Sequence, residues 1–339
     1  MKKEINIIRE QNLNAVKHYF FTHQSALKSE VAEQTNISIV TINSLIKQLV
    51  AENIIIEGDK IKPNLGRPSN IYHFNYHHAY FLLISVEEVT QENEKKLALR
   101  ANVVNLAGEI FFEETCLFTT FTIDYFLELI EQFLAQIEEY PIKKIGISFP
   151  GKVYQKKIVS SWYNKFNDWE LETQVEDRFH LPTFIQNDAH LVTIGSSLLH
   201  HVEREQTVVG IFYPDRSMPG ITLFAQGHLI EGRHHLAGEA KYLPNLISQN
   251  VTESTSALKQ HLVEILEMYN AIIAPDRFII SADAIKKSEL EAAIYNSAIL
   301  DKQINTAEIF IEEQFALSLK IGLLWLVTPE EGYYRNEPT

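Results

Sequence analysis

The clearest amphipathic pattern near the start of the chain runs from Ile39 to about Glu52. One side repeats apolar residues at positions i, i+3, i+4 and i+7, the spacing of a single helix face: Ile42, Leu45, Ile46 and Leu49. The other side is uncharged or basic: Val40, Asn43, Ser44 and Lys47. The pattern therefore predicts a helix that packs on one face and presents small polar residues on the other.

Two helical patterns precede this one. Apolar residues at helical spacing predict a helix from about Leu13 to His23 and a short helix between residues 25 and 35. Asn36 tolerates the left-handed conformation that ends a helix, and Ser38 is a good N-cap for the next one. Such a helix-turn-helix places its last helix in the DNA major groove, although the pattern alone also fits a three-helix protein-interaction module.

The segment after the third helix favours DNA binding. Residues 54–63 predict two short strands around a turn at residues 57–59, followed by a polar loop that ends in Gly66-Arg67-Pro68. This is the wing of a winged helix-turn-helix, in which the third helix meets base edges and basic residues meet phosphates. The candidate contacts to double-stranded operator DNA are Val40, Thr41, Asn43, Ser44, Lys47, Lys60, Lys62 and Arg67.

The net charge of −14 argues against DNA binding only until it is divided along the chain. Residues 1–78 hold nine Lys or Arg and seven Asp or Glu, a charge of +2, so the remaining residues carry −16. An acidic body with a mildly basic N-terminal part is compatible with DNA binding and limits non-specific attachment. The longest apolar runs are interrupted by polar residues, which predicts a soluble, cytoplasmic protein with no membrane contact. The single cysteine, Cys116, excludes an internal disulfide framework.

Beyond residue 79, strand-like and helical patterns alternate. Apolar strand-like runs cover residues 80–86, 97–104, 144–149, 183–186, 207–212, 221–225 and 278–280. Helical patterns cover residues 123–139, 189–199, 257–271 and 307–326. This alternation predicts an α/β architecture.

Four short motifs occur in the order found in one known family. They are the strand that ends in Pro150-Gly151, the segment Gln186-Asn187-Asp188-Ala189, the tripeptide Ala237-Gly238-Glu239, and Ala274-Pro275 before an apolar run. With a winged helix followed by Gly66-Arg67-Pro68, nearly the whole chain resembles the ROK family of bacterial repressors and sugar kinases. The resemblance implies two actin-like, ribonuclease-H-like lobes with a sugar cleft between them.

The chain departs from the ROK kinases where they bind ATP, whose phosphates need glycine-rich turns. Ile84-Ser85-Val86-Glu87-Glu88 replaces the first turn, residues 214–220 with two prolines replace the second, and Ser281-Ala282-Asp283 replaces the third. We therefore expect no ATP, no cofactor and no enzymatic activity. Related proteins carry a cysteine-rich zinc loop after Ala-Gly-Glu, but residues 243–256 contain no cysteine, so we expect no metal despite the nearby His228, His234 and His235.

A partial sugar site remains. The resemblance places Asp188 where the kinases have their general base, so that without ATP its carboxylate accepts a hydrogen bond from a sugar hydroxyl. Candidate sugar ligands are Asn187, Asp188, Glu239, Glu253 and Asn164, with Asn167 and Trp162 beside the same cleft. An alternative role for Asp188 is to cap the helix that follows it, and the two roles are compatible.

The predicted organisation is a winged helix-turn-helix at residues 1–78, a first ROK lobe at 79–187, and a second lobe at 188–306. A C-terminal helix at 307–328 returns to the first lobe. The leading hypothesis is a repressor that binds operator DNA as a homodimer or tetramer and responds to a sugar or sugar phosphate. The alternatives are a sugar kinase with a regulatory head and a regulator whose cleft binds no ligand.

Overall fold

Three helices and a small sheet form the N-terminal part, called the head below. The computed structural model describes residues 2–61, 69–91, 94–161, 165–214, 218–243, 254–329 and 333. The elements of the head are α1 (Lys2–His23), β1 (Ser25–Leu27), α2 (Lys28–Thr35), α3 (Ile39–Ala51), β2 (Ile55–Ile61) and β3 (Ser69–Phe74). The strands pair antiparallel in the order β1-β3-β2. This is a winged helix-turn-helix.

Local signals set the start of α3. The hydroxyl of Ser38 accepts a hydrogen bond from the Thr41 amide at 3.2 Å, which confirms Ser38 as the N-cap. Asn36 has a φ of 55°, as predicted for the residue that ends α2. The apolar face of α3 is fully buried against Val16 and Phe20 of α1, so the stripe read from the sequence is the core of the head.

Three predictions for the head were wrong. Residues 25–27, predicted as the start of the short helix, form β1 and pair with β3. The first helix begins at Lys2 rather than near Leu13. Its early turns leave Ile7 and Ile8 about half exposed, and Arg9 donates a hydrogen bond to Gln48 of α3 at 2.7 Å. The expected turn at residues 57–59 is instead a bulge within β2, whose partner is β3. Pairing with a strand more than ten residues away overrides the local turn signal.

The first lobe is built on a five-stranded sheet. Its elements are β4 (Tyr80–Gln91), β5 (Glu94–Asn105), β6 (Ile110–Phe118), α4 (Ile123–Gln136), β7 (Ile142–Phe149), β8 (Gly151–Tyr154), β9 (Lys157–Ser161), α5 (Leu171–Phe179) and β10 (Thr183–Asn187). The strand order is β10-β7-β4-β5-β6, with β4, β5 and β6 antiparallel and β7 and β10 parallel to β4. The strands β8 and β9 form a separate hairpin.

The second lobe repeats this topology. It contains α6 (Asp188–Leu199), β11 (Thr207–Phe212), β12 (Gly220–Ala225), β13 (His228–Leu229), α7 (Thr255–Ile273), β14 (Arg277–Ser281), α8 (Lys287–Tyr295) and β15 (Glu308–Ile311). The last helix, α9 (Phe315–Val327), packs against β4 and β7 of the first lobe. The order β13-β12-β11-β14-β15 places the successive strands of the second lobe as in the first lobe. The repeated order confirms the predicted pair of actin-like, ribonuclease-H-like lobes.

Helices α6 and α9 pack closely against each other. A Cβ added at Gly195 would overlap the backbone of Ser318, and one added at Gly322 would overlap the backbone of Leu191. Only glycine permits such an approach of two helix backbones. The predicted helix from residue 307 was wrong in its first part, because residues 308–311 form β15, which pairs in parallel with β14.

The head shares its core with the two-lobed body. Phe21 and Phe74 belong to the same apolar cluster as Phe81 of β4 and Leu323 of α9. Tyr333 joins them, its ring 5.5 Å from that of Phe21 and its hydroxyl 3.2 Å from Nε2 of His78. The head is therefore packed onto the body through side chains from both.

Candidate DNA-binding face and interlobe cleft

The outward face of α3 carries most of the predicted DNA contacts. Val40 is 76% exposed, and Asn43, Ser44 and Lys47 are exposed beside it. Thr41 differs, because it is half-buried and its hydroxyl lies 2.9 Å from that of Ser38 within the helix cap. Thus four predicted residues share one accessible surface, and the fifth contributes to the cap.

The wing is only partly described. Lys60 lies exposed on β2, opposite Asn70 of β3. The predicted contacts Lys62 and Arg67 lie outside the described residues. Sequence reasoning missed Arg9, whose guanidinium reaches Gln48 beside the exposed face of α3. A contact across 39 positions of the chain leaves no local signal.

The cleft between the lobes is a cavity formed by β8, the junction of β10 with α6, the start of β12, and residues 231–239. Asn187 joins two segments of the chain in the wall of this cavity. The Oδ1 of Asn187 accepts a hydrogen bond from the Ala189 amide, and its Nδ2 donates one to the Gly151 carbonyl, both at 2.9 Å. The Gln-Asn-Asp-Ala and Pro-Gly motifs are therefore in direct contact. Asn187, not Asp188, is the N-cap of α6, which corrects the alternative role considered for Asp188.

Glu239 faces this wall from the second lobe. Its Oε1 lies 2.6 Å from Nζ of Lys152, and its Oε2 lies 3.2 Å from Nζ of Lys241. Burial by itself raises the pKa of Glu239, but the hydrogen bond and charge of Lys152, with those of Lys241, outweigh it and hold the pKa below its usual value. Glu239 is thus an ionised carboxylate between two lysines.

Asp188 is the first residue of α6 and lies next to the cavity wall. Burial raises its pKa to about 6, although the amide of Ala189 donates to its Oδ1 at 2.8 Å and opposes the shift. The imidazole of His190, one residue beyond Ala189, has its pKa lowered to about 4 by burial and by the charge of Lys152. His190 is therefore neutral at pH 7.

Polar contacts from both lobes close the cleft. Nε2 of Gln186 donates to Glu231 at 3.2 Å, and the hydroxyl of Tyr154 lies 2.5 Å from Nδ1 of His234. The remaining cavity has a volume of about 70 Å³. Pockets that enclose small molecules measure about 300–1,000 Å³. The cavity is therefore smaller than such pockets in its present form.

The structure brings two of the five predicted sugar ligands, Asn187 and Glu239, to this cavity, with Asp188 adjacent. Glu253 and Asn164 lie outside the described residues, as does Trp162. Sequence reasoning missed Lys152, which is separated from Glu239 by 87 positions. The only available signal was that Lys152 directly follows the Pro-Gly motif.

The strand that replaces the first phosphate-binding turn, β4, carries two carboxylates that each have a basic partner. The hydroxyl of Ser85 donates to Glu87 at 2.5 Å, and Arg100 lies 3.4 Å from the same carboxylate. Glu88 pairs with Lys95 at 2.5 Å. These residues belong to regular strand pairing between β4 and β5 rather than to a glycine turn.

Within the described ranges, no three His, Cys, Asp or Glu side chains are grouped so as to hold a metal ion. His235 instead pairs with Glu231 at 3.2 Å. None of the helices in the described part of the chain is long and apolar enough to cross a membrane.

Comparison with known proteins agrees with this architecture. Residues 97–244 match the model of the ROK family. The xylose repressors of Bacillus spizizenii and Bacillus subtilis are 22% and 21% identical to this chain over 223 residues. The match covers 64% of this chain but only 56% of each repressor. Residues 97–244 therefore carry a match to the ROK family, and a winged helix-turn-helix lies ahead of the two lobes.

Solved structures share the fold. A ROK family transcriptional regulator, a homologue of the E. coli MLC protein, has a TM-score of 0.69 at 16% identity and covers 94% of this chain and 98% of its own. A ROK family protein from Streptococcus pneumoniae TIGR4 in complex with sucrose has a TM-score of 0.56 at 14% identity, covering 73% and 98%. A Streptomyces griseus ROK glucokinase in complex with glucose and AMPPNP has a TM-score of 0.51 at 15% identity, covering 73% and 99%.

Proposed function

We propose that this protein is a transcriptional regulator, a repressor of carbohydrate-metabolism genes, that binds operator DNA through α3 and the wing. The observation that carries the proposal is the accessible face of α3, where Asn43, Ser44 and Lys47 lie opposite a fully buried stripe. The similarity of the chain to two repressors, and to a transcriptional regulator that covers 94% of it, supports the same function.

The residues of α3 suit distinct parts of a DNA duplex. The amide of Asn43 and the hydroxyl of Ser44 match hydrogen-bonding groups on base edges, and the exposed methyls of Val40 match a thymine methyl. Lys47 and Lys60 suit phosphates, as do Lys62 and Arg67 in our proposal. Because operators with two-fold symmetry are read by two-fold proteins, we propose a homodimer or a dimer of dimers.

The DNA-binding role is tested with a duplex selected by the protein from a random pool. Lys47→Ala should weaken binding and reduce the slope of log K against log[salt] by about 0.9, the value for one lost phosphate contact. Lys302→Ala, which removes an exposed lysine of the second lobe, is the matched control and should leave both unchanged. Equal slopes for the two variants would contradict the assignment of α3.

We further propose that the cleft senses a sugar or sugar phosphate and transfers no phosphoryl group. The carboxylates of Glu87 and Glu88 occupy the strand where the family resemblance places a phosphate-binding turn. The regular pairing of this strand with β5 leaves no glycine turn that could bring backbone N–H groups to a triphosphate. Coupled measurement of ADP release with common hexoses should give no turnover. Sustained turnover with any hexose would favour the sugar kinase with a regulatory head.

The sugar-sensing role depends on opening the cleft. A sugar hydroxyl that binds Glu239 must displace Lys152 from it. The released ammonium of Lys152 would then bind the phosphate of a sugar phosphate. Calorimetric titration with a panel of sugars and sugar phosphates should yield saturable heat with the wild-type protein and a weakened signal with Asp188→Ala. No heat from any of these compounds would leave a regulator whose cleft binds no sugar.

A further inference from the structure

A larger cavity lies where α6 and α9 meet the edges of both sheets. Its volume is about 390 Å³, within the range of pockets that enclose small molecules and several times that of the cleft. The walls are mainly apolar and come from both lobes and from the two closely packed helices: Phe184, Leu198, Phe224, Ile321, Trp325 and Leu326. We call this space the junction cavity.

Positive charge stands in this apolar wall. Nζ of Lys144 lies 5.0 Å from the centre of the Phe184 ring, and burial lowers the pKa of Lys144. Among the described residues, Lys144 makes no ion pair with a carboxylate. Arg204 also lines the cavity and donates from Nε to the Gln226 carbonyl at 3.3 Å, while the exposed Glu203 lies at the same wall. A half-buried ammonium without an acidic partner is an electrostatic match for an anionic ligand.

The junction cavity also reaches the head. Tyr333 lines it and at the same time packs against Phe21 and Phe74, with ring centres 5.5 and 6.1 Å away. Its hydroxyl lies 3.2 Å from Nε2 of His78, which directly precedes the first lobe. A molecule that displaces this ring disturbs the core that holds the head on the body.

We propose that the junction cavity binds a small amphipathic carboxylate, with its apolar or aromatic body between α6 and α9 and its carboxylate at Lys144. Occupancy is transmitted to the head through Tyr333 and changes the affinity for DNA. The effect on DNA affinity rests on the proposed DNA-binding function, whereas the binding of the carboxylate does not. A ligand shifts an equilibrium only by binding its two states unequally, and contact with Tyr333 supplies that difference.

The binding test compares 4-phenylbutyrate with its uncharged match, 4-phenylbutanol, by isothermal titration on the full chain. We expect one saturable site per chain for the acid. Lys144→Met retains the apolar stem and should weaken acid binding about tenfold while leaving the alcohol unaffected, because one charge-assisted contact is lost. Lys143→Met changes the adjacent, exposed lysine of β7 and should have no effect.

Quenching of Trp325 fluorescence locates the site, and Trp325→Phe should lose the part of the signal that saturates with the acid. Equal weakening of acid and alcohol by Lys144→Met, or no saturable binding, would overturn the proposal. It would also be overturned if light scattering showed a dimer at high protein concentration and if the acid bound only after dilution to the monomer, because a second copy would then cover the cavity.

The coupling test adds 4-phenylbutyrate to the DNA-binding measurement. We expect at least a threefold change in DNA affinity, which Tyr333→Leu should abolish while calorimetric binding of the acid persists. Unchanged DNA affinity with the acid bound would refute transmission through Tyr333. A protein that binds the acid but no DNA would refute the proposed function and leave the site intact.

Discussion

Asp188 makes the stability of this protein depend on pH in a direction that can be calculated. Burial raises its pKa to about 6, against 3.8 for an unperturbed aspartate. A raised carboxyl pKa means that the contribution to stability is fully present below the unfolded pKa and is lost as pH rises through the folded one. Each pH unit between the two values corresponds to about 1.4 kcal/mol, so ionised Asp188 costs the fold up to about 3 kcal/mol at pH 7–8.

The Asp188→Asn variant keeps the shape of the side chain and removes the charge at every pH. We expect it to be more stable than the wild type by about 1–3 kcal/mol at pH 8, with the difference shrinking between pH 6 and pH 4. The side-chain amide of the variant retains an oxygen that accepts from the Ala189 N–H, so this hydrogen bond does not reverse the sign of the stability difference. His190, whose pKa is about 4, is present in both proteins and contributes little to the difference.

Urea unfolding followed by circular dichroism at pH 4, 5, 6, 7 and 8 provides the measurement. Asp177→Asn, at an exposed position of α5, is the matched control and should follow the wild-type curve at each pH. A difference between Asp188→Asn and wild type that stays constant with pH would refute the reasoning. So would a variant that becomes progressively less stable than the wild type above pH 6.

Three further predictions concern packing, the cleft and the head. Gly195→Ala forces α6 away from the α9 backbone and should cost about 1–3 kcal/mol, seen as a lower melting temperature; an unchanged melting temperature would argue against the close packing. Lys152→Met and Glu239→Gln should be coupled by about 1 kcal/mol or more in a double-mutant cycle of unfolding free energies, and additive effects would show that the ion pair contributes nothing. Ser38→Ala removes the N-cap of α3 and should cost about 0.5–2 kcal/mol of stability. Ser44→Ala should leave stability unchanged and reduce DNA affinity. A loss of stability with unchanged DNA affinity would contradict the proposal that Ser44 contacts DNA.

The parts of the fold that depend on local pattern could be predicted from the sequence. The spacing in α3 and the caps at Asn36 and Ser38 are local properties, and all three are confirmed. The alternation of strands and helices predicts the two lobes for the same reason. The wrong predictions involve pairing between distant segments, because β2 and β15 are set by partners that local patterns do not reveal.

The candidate cleft shows the same limit. Motif order was enough to place Asn187 and Glu239 near each other, since the resemblance carries that arrangement with it. The chemistry at Glu239 was not predictable, because its state is set by Lys152 from a hairpin of the other lobe. The pKa of Asp188 likewise depends on how deeply the start of α6 is buried, which is a property of the folded chain.

The shared core between head and body has a consequence for the DNA sequence itself. A head that packs through Phe21, Phe74 and Tyr333 is held in a fixed orientation, so two heads in a dimer are held at one separation and one relative angle. Such a dimer would require a set number of base pairs between its half-sites. Inserting about 5 base pairs, half a helical turn, would place the second half-site on the opposite face of the duplex, and inserting about 10 would restore the facing. We therefore expect the operator to be defined by the distance between its half-sites as well as by their base sequence.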